Sequence, residues 1–519
     1  MQCLRSTQMT HKFNSSRKSG RSFDINKKTI LGMRSIGRGR RACVKFCSYT
    51  GLPLPVSNSP WLEKTSSLAE TSSQVVADRL QRAVHDVRKL KMDSGEIASL
   101  EETMNIGVSV DGAWISRGFN SLYGFVSVIS IDTGKVLDKH FLSSKCRECD
   151  KWEGKAKDRE YVAWFIEHEP NCQINHEGSA KSMEEAGARV LFERSLQKYN
   201  VRYTQYIGDG DSSAYAAVKY TYQNENITVE KQDCVGHIQK RMGTHLRKLV
   251  EEHKGKKLED GRALTGRNRL TNHLINAFQV FYGIALRSNK GNVEEMSKQT
   301  QAILHHYAST QDEPRHDNCP TGEESWCKWQ QDKATGKKTY RPLKNPLPAA
   351  VLNAVQPVID RLSNPALLEG AKMCYTQNAN ESLHHVLWSV LPKEQNHGLM
   401  EINLGSNLAV AHFNSGVEQF NKALFEATGL EVNPVSQSLW LSLDRIRSRE
   451  AKLKATREYK ARRKELKRKR LQKLDRFEYA EGETYASGEF DRASAKKAKR
   501  RCKTCLQPMK GHSRNTCTN

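Results

Sequence analysis

No stretch of this 519-residue chain is apolar for long enough to span a bilayer, and no hydrophobic segment follows the N-terminal charges. Neither a membrane protein nor a secreted one is expected. Acidic residues are scarce at the N-terminal end and outnumbered by basic ones at both ends. Residues 1–48 hold one Asp against twelve Lys and Arg, residues 445–476 four acids against sixteen bases, and residues 477–519 five against nine. Since the whole chain carries +25, the middle, 49–444, is close to neutral at −2. A solubilising tail needs far less charge than this. Basic ends around a neutral body fit a polyanion held through phosphate contacts and counterion release, which makes DNA the expected partner. An even cysteine count is also missing. The thirteen cysteines fall partly in Cys-x-x-Cys and Cys-x-x-His spacing, which points to metal sites in a reducing compartment and away from a disulfide framework.

Residues 1–30 read as a basic disordered arm rich in Ser, Lys and Arg, and 31–103 as a helical, DNA-binding region whose clearest amphipathic run is "VVADRLQRAVHDVRKL". Residues 104–254 alternate between strands and helices. "NIGVSVDGAW" is the first strand, and "YGFVSVISIDTGKVLDKHFLSS" supplies two more around the Asp132-Thr133-Gly134 turn. A Cys/His insertion follows near 146–176. Next comes a helix expected to open on the capping-box pair Ser182 and Glu185, then strand, helix, strand and helix. Three antiparallel strands followed by that alternation make an α/β, RNase H-like mixed sheet with helices on its faces. Residues 255–370 read as a mostly helical insertion, and 371–444 as the last core helix with packing helices. A basic helix and linker occupy 445–500, and a Cys/His tail 501–519.

In that strand order Asp111 falls at the end of the first strand and Asp209 at the end of the fourth, neighbours at the sheet centre. Two carboxylates so close are unfavourable unless a cation lies between them, and Mg²⁺ takes hard oxygen ligands while keeping positions for water and phosphate. Glu381, in "NANESLHHVLW" at the start of a helix beyond the insertion, fits as the third carboxylate of a two-metal site. Both aspartates precede Gly, so a plain turn is the competing reading for each. Asp211 rivals Asp209, and reads equally well as the N-cap of the next helix.

The chain resembles the mutator-like transposase domain of animal transposon-derived proteins, part of the Mutator-type DDE transposases. The resemblance runs from Ile30 to Arg445. Its carriers are "MRSIGRG", "FCSYTGLPLPVS", "VSVDGAWISRGFNSLYG", "GSAKSMEEAGA", "YIGDGDSSAY", "DCVGHIQKRMG", "CPTGEESWCKW" and "NANESLHHVLW". It implies a DDE triad of Asp111, Asp209 and Glu381, DNA cleavage and strand transfer, and dependence on Mg²⁺ or Mn²⁺. The family's Cys/Asp-x-x-His motif corresponds to Cys234 and His237, 25 residues beyond Asp209, which favours Asp209 over Asp211. That pair either contacts DNA phosphate through the His or orders the loop beside the site.

"CRECDKW…HEPNC" offers Cys146, Cys149, His168 and Cys172 as tetrahedral Zn²⁺ ligands, with His176 as a substitute. The tail offers Cys502, Cys505, His512 and Cys517. It is similar to a zinc knuckle, but with six residues between the second Cys and the His where the common knuckle has four. A third group, His316, Cys319 and Cys327, lacks a clear fourth ligand, and buried cysteines read as well there. The basic run Arg462, Arg463, Lys464, Lys467, Arg468, Lys469 and Arg470 serves as DNA-backbone contacts, as a nuclear-import signal or as both.

The expectation is therefore a nuclear DDE transposase that binds its element's terminal repeats and target DNA and pairs with another copy of itself. A domesticated DNA-binding protein without nuclease activity is the main alternative. A zinc-dependent protein-interaction module is a third.

Overall fold

A computed structural model describes residues 16–19, 22–115, 121–152, 159–208, 213–342, 346–395, 397–463 and 465–466. A small hairpin, β1 (Lys18–Ser19) with β2 (Ser22–Phe23), leads into α1 (Asp24–Ser35), α2 (Arg40–Thr50) and the 36-residue α3 (Asn58–Asp93). In α3, Trp61, Leu68, Val76, Leu80, Val84 and Val87 are buried, an apolar stripe at helical spacing that lays the helix along the sheet.

The sheet has five strands: β3 (Met104–Trp114), β4 (Tyr123–Ser130), β5 (Val136–Ser143), β6 (Val201–Gly208) and β7 (Glu230–Asp233). Their order is β5-β4-β3-β6-β7, antiparallel on the β4 and β5 side of β3 and parallel on the β6 and β7 side. The chain is thus mixed α/β. The β4–β5 connection turns on Gly134, at φ +67°, whose N–H donates to the Ser130 carbonyl.

Strand β3 explains what the sheet positions. Its alternation sends Ile106, Val108 and Val110 into one apolar core, with Leu191, Phe192 and Tyr203. Ser109, Asp111 and Ala113 take the opposite face. Asp111 was expected at a strand end, but it lies inside β3, paired with Ser127 of β4, and the strand continues to Trp114. The turn reading of the Asp-Gly step fails here because Gly112 is itself a ladder residue, opposite Val126.

Between β5 and β6 come α4 (Arg147–Asp150), α5 (Arg159–His168), α6 (Ala180–Glu193) and α7 (Ser195–Tyr199), and between β6 and β7 comes α8 (Ser213–Val218). Helix α6 starts two residues before the expected cap. Ser179 is its N-cap and accepts from the Ser182 backbone N–H, while the Ser182 hydroxyl bonds the Ser179 carbonyl and faces His176.

After β7, α9 (Val235–Glu252), α10 (Asn272–Ser288), α11 (Val293–Ala308), α12 (Lys328–Thr335), α13 (Ala349–Leu362) and α14 (Pro365–Glu369) follow, and α9, α10, α11, α13 and α14 share one apolar core. The chain then returns to the sheet as α15 (Asn378–Val390), α16 (Leu399–Ser415), α17 (Val417–Ala427) and α18 (Pro434–Ala455). Helix α16 is buried almost all round, as a central helix must be, and packs in the core that holds α1, α3 and the Ala113 face of β3. Contacts divide the chain into two units, Met1–Ser448 and Arg449–Asn519. Among the described residues no helix is long and apolar enough to cross a membrane.

Candidate active site and metal centres

The first turn of α15 is hydrogen-bonded onto the middle of β3. Ser109 Oγ donates to Asn380 Oδ1 at 2.6 Å, and Gln377 Nε2 donates to the Val110 carbonyl at 3.0 Å. One turn further on, His384 Nδ1 lies 3.7 Å from Asp111 Oδ2. Glu381 is exposed in that same first turn, about 4.5 Å before His384 along the helix axis. A helix delivered after a long insertion therefore carries Glu381 to the face of the sheet that bears Asp111.

Burial pushes the His384 imidazole down to about 4, with Lys393 adding to the effect. The ring is neutral near pH 7, so its contact with Asp111 is not an ion pair at that pH. Four buried polar atoms on the strands and helix that meet here have no hydrogen-bond partner among the described residues: Ser127 Oγ, Gln377 Oε1, Asn380 Nδ2 and His384 Nε2. Ser127 stands opposite Asp111 in the ladder. Orphan buried polar atoms are uncommon, and four at one junction mark a place built for polar occupants.

Strand β6 reaches the same region. Ile207 pairs with Ser109, two residues before Asp111, and β6 ends at Gly208, immediately before Asp209 in the chain. Asp209 and Asp211 themselves lie outside the described residues. On the far side of β6, Gly208 pairs with Asp233, and Cys234 is the buried N-cap of α9. His237 is half-buried in the first turn of α9. The Asp233 N–H donates to Gly370 O at 2.6 Å and the Val235 N–H to Tyr375 O at 2.9 Å. The Cys234/His237 turn is thereby tied to the segment that leads into α15.

Cys146, Cys149, His168 and Cys172 do come together, with one ligand atom of each within 4.8 Å of the others. His168 Nε2 is 3.4 Å from both Cys146 Sγ and Cys149 Sγ, and Cys149 Sγ is 3.6 Å from Cys172 Sγ. Tetrahedral zinc bond lengths give S···N edges of about 3.6 Å and S···S edges of about 3.8 Å, so the residues fit that ion. Against the upward push of burial, backbone N–H groups of Cys149, Gln173 and Glu148 bring the Cys146 thiol down to about 7. Helix α5 contributes no buried residue, yet Trp164 stacks on His168 at 4.5 Å between ring centroids. His176 is not in this group; its Nε2 faces Ser182 Oγ at 3.0 Å, at the start of α6.

Cys502, Cys505, His512 and Cys517 lie outside the described residues, as do Lys464, Lys467, Arg468, Lys469 and Arg470, whereas Arg462 and Arg463 are exposed. Two residues escaped sequence reasoning. His384 is silent in the sequence, because only the packing of α15 on β3 brings it to Asp111. His306, in "ILHHYA", joins His316, Cys319 and Cys327, and its signal was a His pair in the last turn of an amphipathic helix ten residues before His316.

A family model described as Mutator-like transposase matches residues 1–327. Asp111, Asp209, the Cys234/His237 pair and both described Cys/His groups lie inside that stretch, and Glu381 lies beyond it. No curated protein matches the chain.

Proposed function

The chain belongs to the Mutator-like transposase family, and on that premise we propose that it cleaves and joins DNA phosphodiesters as a DDE enzyme, with Asp111, Asp209 and Glu381 as its acidic triad. Its function is transposase-related at the family level; the triad is our own assignment. One observation supports it above the others. The helix bearing Glu381 is pinned by Ser109–Asn380 and Gln377–Val110 to the strand bearing Asp111, across some 270 residues of chain. The strand order, with β3 between an antiparallel and a parallel neighbour and helices on both faces, supports an RNase H-like reading of the core.

The donor set suits a hard divalent cation. Asp111 and Glu381 offer carboxylate oxygens, and the His384 imidazole beside Asp111 is neutral near pH 7. When bound by these carboxylates, Mg²⁺ or Mn²⁺ supplies an activated nucleophilic oxygen and stabilises the leaving oxygen of an in-line displacement. The chain's own part is positional. Ser109 and Gln377 set the depth of α15 against the sheet, and the triad's mutual repulsion keeps the site ready for a cation.

DNA is the partner in this reading, held through the basic ends, with transposon terminal repeats and target DNA as its two substrates and a second copy of the chain needed to pair two ends. The nucleus is the matching compartment. Zn²⁺ at Cys146, Cys149, His168 and Cys172 would have a structural role. The test is divalent-metal-dependent cleavage of terminal-repeat DNA by the purified chain. Cleavage lost in Asp111→Asn, Asp209→Asn and Glu381→Gln supports the assignment. Cleavage unchanged in these variants refutes the triad, and DNA binding without any cleavage by the unaltered chain favours a domesticated DNA-binding protein.

A further inference from the structure

We propose a second structural zinc site, inside the helical insertion, with His306, His316, Cys319 and Cys327 as its four ligands. It is independent of the acidic triad. The sequence spacing alone left three candidate ligands without a fourth. The fold supplies it from the last turn of α11, where His306 meets the irregular segment that follows.

The geometry is that of a metal site. One ligand atom from each of the four side chains lies within 4.8 Å of the others. Each thiol faces an imidazole nitrogen, Cys319 Sγ at 3.7 Å from His306 Nδ1 and Cys327 Sγ at 3.6 Å from His316 Nδ1. These separations match the S···N edge of about 3.6 Å that tetrahedral zinc bond lengths require. Two thiolates and two imidazoles make a soft donor set that selects zinc over magnesium or calcium.

The surroundings fix the ligands as an outer shell does. His316 Nε2 is 3.0 Å from Ser309 Oγ and 2.9 Å from Tyr340 Oη, which turns Nδ1 toward the thiols. Gln330 Nε2 holds the His316 carbonyl at 2.8 Å, and Ser325 Oγ accepts from the Cys327 N–H at 3.0 Å. His316, Cys319 and Cys327 are at most 3 % exposed. Trp326 closes one side, stacked on Phe281 at 4.6 Å and edge-on to His306 at 4.9 Å, and Trp329 stacks on His316 at 5.5 Å.

Such a site answers a need of the fold. Residues 309–327 form no helix or strand, an uncommon length for a structureless connection in a compact region, and their ordering entropy must be offset. Zinc would staple that segment to α11 and set Cys327 as the N-cap of α12. From the last turn of α12 onward runs an exposed basic stretch with Lys333, Lys337, Lys338 and Arg341, whose base the same staple would hold.

The test is zinc per chain in the purified full-length protein after dialysis against a weak chelator. Cys319→Ser and His306→Ala should each lose about one zinc equivalent, and combining Cys319→Ser with Cys146→Ser should lose about two. Full zinc retention by either single variant overturns the proposal. Where a variant does not fold, alkylation of the unaltered chain decides. Cys319 and Cys327 becoming reactive together, only once chelator strips zinc, supports the site. Alkylation indifferent to chelator, or a Cys319–Cys327 disulfide in unreduced protein, overturns it.

Discussion

Ser109 Oγ and Asn380 Oδ1 are 2.6 Å apart although 271 residues of chain separate them. The bond joins the central strand of the sheet to the first buried turn of α15, and it sits two residues from Asp111 on one side and one residue from Glu381 on the other. Removing the donor leaves the fully buried Asn380 without that partner, at a cost of about 1–3 kcal/mol. Ser109→Ala should therefore lower the urea midpoint. It should also reduce metal-dependent cleavage while DNA affinity is kept, because it loosens the spacing of the two carboxylates without removing either.

The stability of the sheet's outer side rests on another buried group. Asp138 in β5 is 1 % exposed and takes a two-pronged ion pair from Arg194 at 2.7 and 2.9 Å, with Lys198 at 3.0 Å. Asp138→Asn leaves those cations facing a cavity of about 290 Å³ with no charge to meet them. The expected loss is about 3 kcal/mol, the low end for a broken buried pair because Arg194 is 30 % exposed. Chemical denaturation measures it.

The neighbouring Lys139 carries a pH signature. Burial brings its amine down to about 7 from an ordinary 10.5, with Asp138 opposing the shift. Between those values the unfolded chain binds a proton that the folded chain does not. Stability should therefore rise as pH increases from about 7 toward 10, and Lys139→Met should flatten that rise. Unfolding midpoints across that range, with and without the substitution, check the sign.

The Cys146 group predicts a local effect of metal removal. Helix α5 buries none of its residues; His168 ties it to the ligand group, and Trp152 packs on its Tyr161 and Trp164. Chelation, or Cys149→Ser, should raise amide exchange through 159–172 while β3 and α15 stay protected. Exchange that rises equally in both regions would show that zinc supports the whole fold.

How much of this was legible in the sequence depended on how local each signal was. The Asp132-Thr133-Gly134 turn, the alternation of β3 and the helix at 378–390 are carried by neighbouring residues, and each was readable. The Cys146 and Cys172 ends could be matched because Cys-x-x-Cys and His-x3-Cys are short motifs. Ser182 and Glu185 imitate a capping box, whereas the N-cap of α6 is Ser179. His306 lies only ten residues before His316, but its role depends on how the irregular segment after α11 folds back. The depth of Asp111 within its strand depends on Ser127 across the ladder, and the role of His384 on a helix arriving from far along the chain. No spacing rule reaches that far. Asp209 and Asp211 lie outside the described residues, so the choice between them rests on the family motif alone.

The central claim is that Asp111, Asp209 and Glu381 bind one divalent centre, and it can be tested without knowing the DNA sequence recognised. Fe²⁺ takes the place of Mg²⁺ at carboxylate sites and, with peroxide and ascorbate, cuts the polypeptide beside its ligands. The account predicts cuts near residues 111, 209 and 381 together, all suppressed by excess Mg²⁺ and all lost in Asp111→Asn. Cuts absent from any one of the three segments, or persisting unchanged in Asp111→Asn, would contradict it.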